Sequence, residues 1–208
     1  MRVRDLGTRP APATVVQRRQ IPYWQERGWT HQSNTYLGSY PVSYTHLRGP
    51  RQLSDTEPRW RGVKTLARER DLELDSRLIV DLPESGDPFS SFEQGYKLTE
   101  ELLHRRRPFT ALMAFDDMTA FGAIRALVKA GIRVPDQCSV VGFDDVAPAA
   151  IYSPALTTVR QPMEVMGTAA ATIVLEAINA GLEKKPTRTI HRQIVPELIV
   201  RESTRSLK

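Results

Sequence analysis

Cysteine is almost missing from this 208-residue chain: Cys138 stands alone, so no disulfide framework can hold it together. Histidine is scarce as well. His31, His46, His104 and His191 share no spacing suited to a metal, and no metal or cofactor is expected. No run approaches the ~20 apolar residues that span a bilayer, so a membrane protein is set aside. The usual signatures of catalysis are also lacking: no GxxxxGK[ST], no GxGxxG after a strand, no GxSxG and no HExxH. Cys138 lies in an apolar run and reads as a core thiol rather than a nucleophile. The chain is not expected to be an enzyme.

What is present is unevenly distributed. The formal net charge is +5, which invites a nucleic-acid reading. Yet residues 1–47 hold six arginines against Asp5 and Glu26, whereas the remaining 161 residues carry 23 basic and 22 acidic side chains. The first quarter is broken up by Pro10, Pro12, Pro22 and Pro41 and by Gly7, Gly28 and Gly38. Its aromatics, among them Trp24, Trp29, Tyr36, Tyr40 and Tyr44, follow neither the period of a strand nor that of a helix. Residues 1–47 are therefore expected to be irregular. The string VSYTHL at 42–47 is also one reading frame of CTGTCTCTTATACACATCT, a transposon end used to prepare sequencing libraries. A non-native origin for 1–47 follows as a further expectation.

From Arg48 onward the pattern is regular. Pro58–Arg70 reads as a helix with Val63, Leu66 and Ala67 on one stripe. Leu78–Leu82 reads as a strand, Phe92–His104 as a helix, Thr110–Phe115 as a strand, and Met118–Ala130 as a helix stopped by Gly131. Cys138–Phe143 is apolar throughout, as in a parallel sheet covered on both sides. Leu156–Arg160, the long helix Pro162–Ala180, and strand-like runs at Thr187–Val195 and Leu198–Arg201 complete the chain. Strands alternating with helices at this spacing predict a doubly wound α/β sheet.

Two acidic pairs, Asp116-Asp117 and Asp144-Asp145, each follow directly on an apolar strand. In an open α/β sheet, ligands bind beyond the carboxyl ends of the strands. Carboxylates there can accept hydrogen bonds from hydroxyls or ring nitrogens of a small polar ligand. One acid of a pair can instead cap the following helix, and Asp117 stands where an N-cap should.

The segments PFTALMAFDDMTAFGAIRALVKAGIRVPDQCSVVGFDDVAPA, SPALTTVRQPMEVMG and PELIVRES together resemble the effector-binding domain of the LacI/GalR family of bacterial transcription regulators. RGPRQLSDTEPRWRGVKTLA and FEQGYKLTEELL extend the likeness, which runs from about Arg48 to Arg205. The resemblance implies a type I periplasmic-binding-protein-like fold, a doubly wound parallel sheet representing mainly the C-terminal subdomain. The division expected is therefore 1–47 and 48–208. It further implies effector contacts from Arg59 of the R-x-x-G motif, from Asp116 where the family usually has Asn, and from Asp144 of GFDD. Phe89 is the candidate aromatic platform. The implied ligand is a sugar or sugar derivative. DNA would be read by a helix-turn-helix that this chain is expected to lack, in a homodimeric parent working in the cytoplasm. A solute-binding protein of a transport system shares the fold and is the alternative.

Overall fold

The computed structural model describes residues 44–84, 90–182 and 190–206. Ten elements follow in order: β1 (Tyr44–Arg48), α1 (Thr56–Glu69), β2 (Ile79–Asp81), α2 (Ser90–His104), β3 (Ala111–Ala114), α3 (Asp117–Lys129), β4 (Ser139–Asp144), β5 (Thr157–Arg160), α4 (Met163–Leu182) and β6 (Glu197–Ile199). The strands form one sheet in the order β2-β1-β3-β4-β5-β6. The first five run parallel and β6 closes the edge antiparallel to β5. The expected α/β architecture is present.

The sheet begins earlier than Arg48. Tyr44–Leu47 already pair with Ala111–Ala114 of β3, and Leu47 is 1% exposed. Of residues 1–47, expected to be irregular, the last four thus belong to a strand, and 1–43 lie outside the described residues. Their β-branched and aromatic members suit a strand, and pairing on both sides satisfies the backbone. The strand-like run at 187–195 differs in the other direction: residues 190–195 form no strand, and Ile190 and Val195 are exposed. Antiparallel pairing with β5 goes instead to Glu197–Ile199.

Register tells the two faces of the sheet apart. Thr45, Leu112 and Val140 fall in line, with Leu47, Ala114 and Gly142 continuing the same face. All of these but Gly142 are at most 3% exposed, and this is the face that carries α2 and α3. His46, Arg48, Met113, Phe115, Val141 and Phe143 point the other way. That second face is covered by α1, whose Trp60 meets His46 edge-on at 5.1 Å. The buried cluster runs through Leu47, Leu102, Phe109, Leu112, Ile124, Leu127, Val140 and Leu156.

Helix α3 sits close because two glycines permit it. A Cβ on Gly122 would lie 2.0 Å from the carbonyl oxygen of Phe92, and one on Gly95 would lie 2.2 Å from that of Thr119. The crossing of α2 and α3 is thus backbone against backbone. As predicted, Gly131 ends α3, in the left-handed region with φ 76°. The N–H of Ile132 then returns to the carbonyl of Leu127 at 2.9 Å, satisfying an orphan acceptor of the last turn.

Helix α4 behaves differently. Only Ala169 is buried, while Met163, Val165, Met166, Val174, Leu175, Ile178 and Leu182 are exposed. By length and composition alone α4 is apolar enough to cross a membrane. This revises the expectation that nothing in the chain reaches that length. Glu164, Thr168, Thr172, Glu176 and Asn179 interrupt the run and conceal it from a search for uninterrupted apolar residues.

Candidate functional site

The carboxyl ends of β3 and β4 open side by side. Phe115 and Asp116 leave β3, and Asp144 is the last residue of β4. Arg59, one turn into α1, reaches the same mouth from the second face of the sheet. Its guanidinium carbon lies 3.7 Å from the ring centroid of Phe143 and 4.5 Å from that of Phe115. One of its nitrogens donates to the Phe115 carbonyl at 2.9 Å, and another meets the Asp55 carboxylate at 2.5 Å. The planar fork is thus fixed by rings, a carbonyl and a carboxylate before any ligand arrives.

Asp144 lies within electrostatic reach of Asp116, Arg59 and Asp55. Gln161 Nε2 donates to its Oδ1 at 2.6 Å. Burial raises its pKa; the Gln161 hydrogen bond and Arg59 act against that, and the repulsion of Asp116 and Asp55 reinforces it. Three of the four sequence-derived candidates, Arg59, Asp116 and Asp144, therefore come together. Phe89 lies outside the described residues.

The roles within the first acidic pair are reversed from those expected of capping. Asp116, not Asp117, is the N-cap of α3: its Oδ1 accepts the N–H of Thr119 at 2.6 Å, with φ −140° and ψ 172°. Asp117 is the first residue of the helix and is 1% exposed. Its Oδ1 accepts the Thr158 hydroxyl at 2.5 Å and its Oδ2 accepts the Val146 N–H at 2.9 Å. Burial foremost, countered by those hydrogen bonds and aided by Asp144, brings its pKa up to about 6.

Sequence reasoning did not foresee the fate of Asp145. Arg160 Nε and Arg201 Nη2 each lie 2.6 Å from its carboxylate. Burial opposes its ionisation, but hydrogen bonds from Arg201 and Arg160 prevail and hold its pKa below the usual carboxylate range. The signal was in the arginines of TTVRQP and LIVRES, whose partner only the β5–β6 pairing reveals. Cys138 is 1% exposed and burial pushes its thiol pKa up, as befits a core residue. Among the described residues no three metal-ligating side chains gather.

The sheet mouth thus bears an N-capping aspartate, a second carboxylate and a clamped arginine. Residues 31–204 match the family of periplasmic binding protein-like domains. The chain belongs to that family, in the effector-binding portion of LacI/GalR-type regulators. It is 31% identical over 160 residues to the ribose operon repressor of Halalkalibacterium halodurans, covering 77% of this chain and 44% of that protein. It is 35% identical over 114 residues to the HTH-type transcriptional repressor PurR of Pasteurella multocida, covering 55% of this chain and 33% of the relative. Among solved structures, a sugar-binding transcriptional regulator of the LacI family from Escherichia coli, complexed with phosphate, superposes with a TM-score of 0.62. Its identity is 29%, covering 78% of this chain and 54% of that one. The chain thus spans less than half the length of these two curated relatives. Both relatives are repressors rather than enzymes.

Proposed function

We propose that this chain is the effector-sensing portion of a LacI/GalR-type transcriptional regulator whose ligand is a small polyhydroxylated molecule such as a sugar. The observation that carries this reading is the convergence of Asp116, Asp144 and Arg59 at the carboxyl ends of β3 and β4. Two acceptor carboxylates flanking a fixed guanidinium suit paired hydroxyls, which donate to the acids and accept from the arginine. Phe89 is assigned as a platform for the apolar face of a ring. The names of the ribose operon repressor and of the sugar-binding regulator support the ligand class.

On this reading the ligand acts by binding one arrangement of two subdomains better than another, shifting a population rather than performing chemistry. Operator DNA is contacted by the helix-turn-helix of the whole regulator, in a homodimer located in the cytoplasm. The test is a titration of the 15N-labelled chain with D-ribose, extended to other pentoses and hexoses, up to high millimolar concentration. Saturable amide shifts centred on Asp116, Phe143 and Asp144, abolished by Asp144→Asn, are expected. Shifts scattered elsewhere, or none with any sugar, would remove the assignment.

A further inference from the structure

The Asp144–Asp145 turn has an unusual backbone. Asp144 has φ 115° and Asp145 has φ 60°, two consecutive non-glycine residues at positive φ. Each such residue is strained and persists only where its surroundings over-determine it. Glycine would adopt the turn freely, so the surroundings must supply what the backbone does not.

Arg160 and Arg201 hold the Asp145 side chain and Gln161 holds that of Asp144, while one buried side chain reaches the backbone of the turn itself. The Asp117 carboxylate accepts the backbone N–H of Val146 at 2.9 Å, and the N–H of Asp145 lies near enough to favour its charged form. Its other oxygen accepts the Thr158 hydroxyl at 2.5 Å, which anchors it to β5. Room for it exists because residue 142 is glycine: a Cβ there would lie 2.2 Å from Asp117 Oδ1. The turn is therefore wrapped around a fixed anion contributed by α3. The charges around that anion come from several elements. Asp144 in the turn repels it. Asp116, the N-cap, directly precedes it, and Asp145 beyond it is neutralised by Arg160 of β5 and Arg201 after β6.

We propose that Asp117 is the positioning residue of the cleft, its carboxylate seating the left-handed Asp144–Asp145 turn so that Asp144 is presented to the ligand. The last clause rests on the reading of Asp144 given above; the seating of the turn does not. Asp117 touches no ligand on this account and acts wholly through the turn. Loss of its charge weakens the acceptor that faces the Val146 N–H, and the turn relaxes.

The experiment is nuclear magnetic resonance of the whole chain without ligand, in wild type, Asp117→Asn and Thr158→Val. In wild type the amides of Asp145 and Val146 should titrate together with a midpoint near 6, and the coupling constants of Asp144 and Asp145 should report positive φ. Asp117→Asn should abolish that titration and the left-handed couplings while leaving the strand signals of β3 and β1 in place. Thr158→Val keeps the carboxylate but removes a hydrogen bond to its charged form, so the midpoint should rise. Retention of both the couplings and the titration in Asp117→Asn would overturn the proposal. If Asp117→Asn does not fold, an unchanged midpoint in Thr158→Val overturns it equally. Sugar titration separates the two ideas: a wild type that ignores every sugar sinks the proposed ligand class and leaves the turn result standing. Where a sugar does bind, Asp117→Asn should weaken it by at least tenfold, and undiminished affinity counts against the positioning role.

Discussion

The guanidinium of Arg59 stacks on the ring of Phe143, 3.7 Å from guanidinium carbon to ring centroid. This contact joins α1 to the end of β4, and with it the two walls of the mouth. The arginine is held by Phe115, Phe143 and Asp55, so little side-chain freedom is left to it.

Arg59→Lys should therefore be far from conservative. A lysine ammonium cannot stack flat on two rings while donating to both the Phe115 carbonyl and the Asp55 carboxylate. We expect a stability loss of about 1–2 kcal/mol, the scale of one stacked cation and one charge-assisted hydrogen bond. Urea unfolding followed by tryptophan fluorescence measures it. A change below about 0.3 kcal/mol would show that the stacking contributes nothing to the fold.

Gly122→Ala tests the close crossing of α2 and α3. Alanine raises helix propensity by about 1 kcal/mol, but its methyl would press against the Phe92 carbonyl 2.0 Å away. Steric conflict with backbone cannot be relieved by a rotamer change, so the two helices must separate. The expected net effect is destabilisation of about 2 kcal/mol or more. Thermal unfolding by circular dichroism decides the sign, and a stabilised variant would place the crossing elsewhere.

The order of strands and helices was legible because β3 and β4 are apolar runs that end in acids and α3 ends at glycine. Arg59, Asp116 and Asp144 became candidates by likeness to a family, and the two acids also by their place after strands. The division of labour within each acidic pair was not legible. Asp116 and Asp117 are adjacent and chemically identical, and only the helix start and the Thr158 hydroxyl distinguish them. The start of the sheet was missed for a related reason. Tyr44–Leu47 carries Thr45 and His46 where a central strand is usually aliphatic, and polar residues in a short run hide a buried strand.

Helix α4 offers a test of exposure. Val174, Leu175 and Ile178 are each more than half exposed, so Val174→Lys with Ile178→Glu should alter folding free energy by less than about 0.5 kcal/mol. The same double variant should bind less of a hydrophobic dye such as ANS and associate less at high concentration, because exposed apolar patches drive both. Light scattering and dye fluorescence provide the readouts. A loss of about 2 kcal/mol or more would mean that this face is covered by the chain itself.

His46 completes the set, because it opposes Asp117 in the response to pH. It is 6% exposed, packs edge-on against Trp60, and its Nδ1 has no hydrogen-bond partner. Burial first, and the Arg48 charge second, lower its pKa from 6.5 to about 4. The unfolded chain therefore takes up a proton at pH 6.5 that the folded chain refuses until about 4, and stability falls as pH drops through that window. Asp117 does the reverse. Its folded pKa of about 6 lies above the ordinary 3.8, so its contribution is complete below 3.8 and is lost as pH rises to about 6. Each effect is of order 3 kcal/mol at the rate of 1.36 kcal/mol per pKa unit, and between pH 4 and 6 they largely cancel. Wild-type stability should accordingly change little over that range. His46→Leu removes one side of the balance and an unpaired buried nitrogen, so its stability should exceed that of wild type at pH 4 and then decline toward pH 6. Denaturant unfolding of both proteins at half-unit pH intervals measures the two slopes. Parallel curves would show that His46 takes up its proton equally well in the folded and unfolded states.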